Sequence, residues 1–212
     1  MMHGTLTGRT AAMVFLGLVL GGEAAAQITD PGTAAGPSAY VPLTREERLD
    51  LYFRSMFGPM AWVRSGISAG WGQLRNRPKE WNEGARGFGL RYGSATAERI
   101  TRGTITAGAA ALLHEDNRYF HPAATDKGAR LKYALASTFL ARKDDGTRRF
   151  SFSRIGGMGA AALISRTWQP ESTSSMRSAG VNFGVMLGAA AGFNVAREFL
   201  PGKLKTLFKW ED

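Results

Sequence analysis

Apolar positions recur at helical spacing along most of the chain, and the residues between those runs mark the elements. Leu49, Tyr52, Phe53 and Met56 fall at i, i+3, i+4 and i+7, one face of a helix. Thr44 and Glu47 have the capping-box spacing at its start, and Gly58-Pro59 interrupts or kinks it. A second helix is predicted over about 60–75, with Trp62, Gly66, Gly70 and Leu74 on one stripe. Arg77-Pro78 marks a break, and Pro78 suits the first turn of a helix entering Trp81. From Trp81 to His114 the chain is helix-compatible but interrupted by Gly84, Gly87, Gly89 and Gly93, with 95–113 its firmest part. His121-Pro122 ends that region.

Residues 129–141 predict another helix, with Leu131, Leu135 and Phe139 aligned. Asp144-Asp145-Gly146-Thr147 is a turn, and the alternation of Phe150 and Phe152 allows a hairpin about Asp145-Gly146. Helices over 154–168 and 175–200 complete the pattern. Pro170 separates them, Ser174 or Ser175 caps the last, and Pro201-Gly202 stops it. Val and Ile are too sparse for a parallel sheet. The expected class is all-α: a helical bundle with room for one short β-hairpin.

The ends of the chain read differently. Residues 1–26 have the form of a secretory signal peptide: Arg9, the apolar run 11–20, then Ala24-Ala25-Ala26 as a cleavage site. That run is about half of what a spanning helix needs, which favours removal over anchoring. Residues 27–43 are a flexible leader with three prolines, 44–202 a single helical domain, and 203–212 a basic aromatic tail.

Composition sharpens this picture. The chain has 212 residues with 27 Lys+Arg against 17 Asp+Glu, 27 glycines and no cysteine. Disulfides, thiolate metal sites and cysteine nucleophiles are excluded. The glycines follow no collagen period; instead Gly180, Gly184, Gly188 and Gly192 stand four apart. Each glycine inside a helix costs about 1 kcal/mol relative to Ala, so the ladder forfeits roughly 4 kcal/mol unless something offsets it. A glycine ridge lets another helix backbone approach closely, and Gly66/Gly70, Gly89/Gly93 and Gly157/Ala161 repeat the small-xxx-small spacing. No charge stands between Arg177 and Arg197, a run of spanning length, although Ser178, Asn182 and Asn194 make it poorly apolar. The preferred expectation is a soluble or peripheral bundle with a buried, glycine-packed hairpin. The other is partial membrane insertion of 178–196, or homo-oligomeric association through the ladder.

Glu80-Trp81-Asn82-Glu83-Gly84, Arg91-Tyr92-Gly93-Ser94-Ala95 and the run 114–120 (HEDNRYF) resemble a family of exported bacterial proteins of unknown function. Asn182, Gly184, Asn194 and Glu198-Phe199-Leu200-Pro201 belong to the same likeness, which covers most of 45–202. The resemblance implies export and a single architecture. It transfers no catalytic residue.

Candidate chemistry is thin. His114, Glu115, Asp116 and His121 form the densest polar cluster, but the zinc-protease spacing HExxH is absent and no metal or cofactor is expected. The structural reading places His114 at the negative end of a helix. Gly66-Ile67-Ser68-Ala69-Gly70 matches a nucleophile elbow, which has meaning only on a strand–turn–helix; Gly157-Met158-Gly159 brushes a dinucleotide fingerprint without its acid. The basic residues say more. Arg142, Lys143, Arg148 and Arg149 surround the Asp145-Gly146 turn, and Lys203, Lys205 and Lys209 alternate with aromatic and aliphatic residues. Such patterns suit anionic lipid or an envelope glycan, and export argues against nucleic acid. The expectation is an exported, non-enzymatic envelope protein. The alternative is a small periplasmic hydrolase or metal-dependent enzyme using the 114–121 cluster.

Overall fold

The structure is a computed structural model, and it describes residues 40–200. The expected signal peptide, residues 27–39 of the leader, and the tail with Lys203, Lys205 and Lys209 lie outside the described residues. The described chain is mostly α, as expected. Its helices are α1 (Arg45–Phe57), α2 (Pro59–Leu74), α3 (Gly84–Leu112), α4 (Lys127–Ala136), α5 (Phe152–Ile164) and α6 (Met176–Phe199). Three short strands, β1 (Glu115–Asp116), β2 (Leu140–Lys143) and β3 (Arg148–Phe150), form one antiparallel sheet in that order.

Local chemistry sets most boundaries. The Thr44 hydroxyl accepts from the Glu47 N–H, and the Glu47 carboxylate accepts from the Thr44 N–H, which closes the capping box on α1. Gly58 separates α1 from α2, and Pro59 starts the latter where its missing N–H costs nothing. Ser175 caps α6 through the Ser178 N–H at 3.0 Å. Helix α4 ends at Ala136, earlier than periodicity suggests, because Leu140 to Lys143 pair with β3 and β1. The hairpin does form about Asp145-Gly146, and Gly146 takes the positive φ of 79° its turn needs.

Helix α3 runs unbroken through its glycines and is the axis against which α1, α2 and α5 pack. Gly87 and Gly103 act as spacers, whereas a Cβ at Gly89, Gly93 or Gly108 would meet open space, so the expected Gly89/Gly93 pair makes no close crossing. A Cβ at Gly87 would overlap the Asn82 carbonyl, and one at Gly103 would overlap the Met56 side chain. Arg91 organises the loop between α2 and α3. Its guanidinium donates to the carbonyls of Arg77, Pro78 and Asn82 and to the side chains of Gln73 and Asn76.

The helix seams are made of small residues, but on faces other than those the apolar pattern marks. On α5 and its C-cap, Ser153, Gly157, Ala161 and Ser165 are all buried at four-residue intervals. A Cβ at Gly157 would overlap Thr106 Oγ1 of α3 and lie 3.2 Å from the Arg102 carbonyl oxygen. On α2 the inward stripe is Ala61, Ser65 and Ala69. The expected stripe through Trp62 and Leu74 faces outward, with Leu74 83% exposed. Gly66 meets Tyr92 only at ordinary contact distance, 3.9 Å, and Gly70 meets nothing within 4 Å.

The ladder requires the largest correction. Gly180, Gly184, Gly188 and Gly192 are all exposed, and a Cβ at any of them would have open space around it. The buried, glycine-packed hairpin is therefore absent from the described chain. Helix α6 turns Ala179 and Met186 inward against Met158 and Ala162 of α5, leaving Val181 and Val185 outside with the glycines.

Among the described residues every buried apolar side chain except that of Pro78 is Ala or Met, whereas the large apolar side chains are exposed or only partly covered. Arg91, Arg99, Glu115, Asp116 and Glu198 are buried instead. Hydrogen bonding and close small-residue crossings hold this interior, with little help from large apolar burial.

Candidate functional site

The densest polar region is built where α3 ends. Leu113 caps the helix, and His114, at φ 53°, turns the chain into β1. The next two side chains enter opposite sides of the fold. Register places Glu115 opposite Lys143 and Asp116 opposite Arg142.

Glu115 sits on the first turn of α5. Its Oε2 accepts from the Ser153 N–H at 3.0 Å and the Ser153 hydroxyl at 2.5 Å, and its Oε1 accepts from the Phe152 N–H at 3.3 Å. Lys143 Nζ stands 3.6 Å away. A carboxylate here satisfies the orphan N–H groups of a helix start and complements its dipole. Asp116 faces the other way, accepting from the Tyr40 hydroxyl at 3.0 Å, the Arg118 N–H at 2.9 Å and the Arg118 guanidinium at 2.8 Å. Burial and the Asp116 charge push the Tyr40 hydroxyl up to about 12.

Asn117 bridges Ser151 and Ser153, and its carbonyl accepts from Arg154 at 2.6 Å. Arg154 also donates to the carbonyls of Ser137 and Thr138, so one guanidinium ties the strand after α3 to the turn after α4. Burial pushes Arg154 down to about 10.

A second centre lies at Glu198, in the last turn of α6. Its Oε2 accepts from the Tyr119 hydroxyl at 2.9 Å and pairs with His121 Nδ1 at 3.0 Å, while Arg130 Nε donates to Oε1 at 2.6 Å. Arg130 also reaches the Glu198 carbonyl, at 2.7 Å. This clamp fastens the end of α6 to α4 and to the loop after β1.

The four candidate catalytic residues thus go to separate partners. His114 is exposed and pairs with Asp144 at 2.7 Å, Glu115 caps α5, Asp116 holds Tyr40 and Arg118, and His121 joins Glu198. Neither buried carboxylate is open to solvent, and among the described residues no three His, Asp or Glu side chains could hold a metal ion together. Ser68 lies within α2, and Gly157 within α5, so neither motif has the strand–turn–helix context its chemistry needs.

The basic hairpin is largely turned to structural use. Arg142 stacks over Phe120 at 4.5 Å and Lys143 donates to the Leu113 carbonyl at 2.6 Å. Arg148 lies over Tyr133 at 4.1 Å, and of these four only Arg149 is exposed. Spacing gave no sign of the partners of Tyr40, Arg91, Arg154 or Glu198.

These features define a helical-bundle protein with an ion-paired, small-residue interior and many large apolar side chains on its surface. Comparison with protein-family models, curated proteins and solved structures returned no match. Among the described residues one helix, α6, is long and apolar enough to cross a membrane, and little of it is buried.

Proposed function

We propose that this is an exported, non-enzymatic protein of the cell envelope that works at a membrane. One observation carries the reading: large apolar side chains lie outside while several charged ones are enclosed. Trp71, Leu74, Leu112, Val181 and Val185 are each more than half exposed, while Arg91, Glu115, Asp116 and Glu198 are enclosed and hydrogen-bonded. An apolar surface of that extent marks an interaction face. In lipid, ionisable groups turn to the bundle interior and pair, and small residues line the helix crossings. The ridge of Gly180 to Gly192 then serves contact outside the chain, with acyl chains or with a second copy, and α6 is the segment that inserts. The signal-peptide pattern over 1–26 supports export. Exposed Arg149 and the tail lysines supply attraction to anionic headgroups.

Fractionation of the native envelope tests this. Retention through high-salt and carbonate washes is expected. Release by salt alone limits attachment to electrostatics, and recovery in the soluble fraction without any wash overturns the membrane role.

A further inference from the structure

Three arginines gather where α2 and α6 approach the middle of α3, and the Glu115 and Glu198 networks do not involve them. Arg99 is 8% exposed; its Nη1 donates to the Met56 carbonyl at 2.6 Å and its Nε to the Ser65 hydroxyl at 3.3 Å. Its guanidinium lies 5.7 Å from the Trp62 ring, and its Nη2 is buried without a partner. Arg102 follows one turn along α3. Arg64, beside Ser65 on α2, places its guanidinium 5.5 Å from the Phe193 ring on α6. Among the described residues none of the three forms a salt bridge.

The nearby carboxylate does not balance them. Glu98 accepts from Asn182 Nδ2 at 2.7 Å, and burial raises its carboxyl, which weakens the anionic form. Burial also lowers Arg102; Glu98 opposes that shift, and the charges of Arg64 and Arg99 add to it. Arg99 is buried and Arg102 half-buried, so their positive charge is costly unless an anion joins it, and the unpaired buried N–H of Arg99 adds its own desolvation cost. Guanidinium groups match the oxygens of a phosphate in both charge and geometry.

We infer that Arg64, Arg99 and Arg102 form a binding site for a phosphate-bearing anion, with the free Nη2 of Arg99 as its inner donor. Phosphate is the shared chemistry of two sources, a phospholipid headgroup and a free phosphate ion. The site does not depend on membrane attachment. A chain that washes off the envelope yet binds phosphate loses the membrane role and keeps the site, and carbonate-resistant protein that binds no phosphate does the reverse.

The test uses the full chain in neutral detergent, titrated with inorganic phosphate at constant ionic strength and followed by calorimetry. The variants are Arg64→Gln, Arg102→Gln and, as a control, the exposed Arg86→Gln. Saturable binding is expected in the wild type, about tenfold or more weaker in Arg64→Gln and Arg102→Gln and unchanged in Arg86→Gln. Because Arg64 is exposed on α2, its variant keeps the test intact if Arg102→Gln fails to fold. Phosphatidylglycerol nanodiscs that displace the phosphate, where phosphatidylcholine nanodiscs do not, assign the site to a headgroup. Phosphate binding indifferent to both assigns it to the free ion. The site is overturned if neither inorganic phosphate nor phosphatidylglycerol binds saturably, or if Arg64→Gln binds as the wild type does.

Discussion

Ser153 gives Glu115 both its backbone N–H and its hydroxyl, so a residue on β1 caps a helix that begins 37 positions later. The pairing makes β1 and α5 a single unit although each is short. Glu115→Ala leaves the Ser153 and Phe152 N–H groups and Lys143 facing a cavity. The expected loss is about 3 kcal/mol, because breaking one partner of a buried charged network strands the rest. Urea denaturation of the purified chain reads it directly, and a midpoint equal to the wild type contradicts the capping role.

Arg91 makes the same argument for the loop between α2 and α3. Five hydrogen bonds from one buried side chain fix a segment in which Asn76 and Asn82 both adopt positive φ. Arg91→Met keeps an unbranched stem and removes all the donors. A loss of about 2–4 kcal/mol follows from the stranded carbonyls. Arg91→Lys recovers little, since an ammonium cannot reproduce the planar fork. Proteolysis confined to 75–83 in the Met variant would locate the effect.

Element positions were legible in the sequence where the signal is local. Thr44, Ser175, Pro59 and the Asp145-Gly146 turn act within a few residues of themselves, and each does what its chemistry suggests. The facing of the helices was not legible. Periodicity identifies an apolar stripe, and the usual inference that it faces the core fails here, because Trp62 and Leu74 point out while Ala61, Ser65 and Ala69 point in. The same reversal turned the glycine ladder outward. The polar interior was hidden for another reason: Tyr119 and His121 meet Glu198 across 79 and 77 positions, and only folding brings them together.

The Tyr40–Asp116 bond gives a pH dependence with a definite sign. The Tyr40 hydroxyl ionises near 10 in the unfolded chain and near 12 in the folded one. Between those values the folded state holds a proton that the unfolded state has released. The stabilisation is therefore complete below pH 10 and is lost as pH rises from 10 to 12. Tyr119 shifts in the same direction, by burial first and then its bond to Glu198. Denaturation midpoints at pH 9 and pH 11 should fall more steeply in the wild type than in Tyr40→Phe. Equal slopes would mean that Tyr40 ionises freely.

The two kinds of glycine stripe make opposite predictions for one chemical change. Gly157 lies against Thr106 and the Arg102 carbonyl, so Gly157→Ala forces α5 away from α3 and should cost about 1–3 kcal/mol as overpacking. Gly184 has nothing within 4 Å of a new Cβ, so Gly184→Ala should stabilise the isolated chain by about 1 kcal/mol through helix propensity alone. Gly184→Leu separates propensity from association. It too leaves the folded chain intact, yet a leucine on the ridge blocks close approach by another backbone. Denaturation of the monomer and cross-linking in the native membrane should therefore diverge, with stability kept and assembly lost. If Gly184→Leu and Gly188→Leu change neither assembly nor partition into membranes, the outward ladder has no role in contact, and the propensity it sacrifices has no offset in any interface.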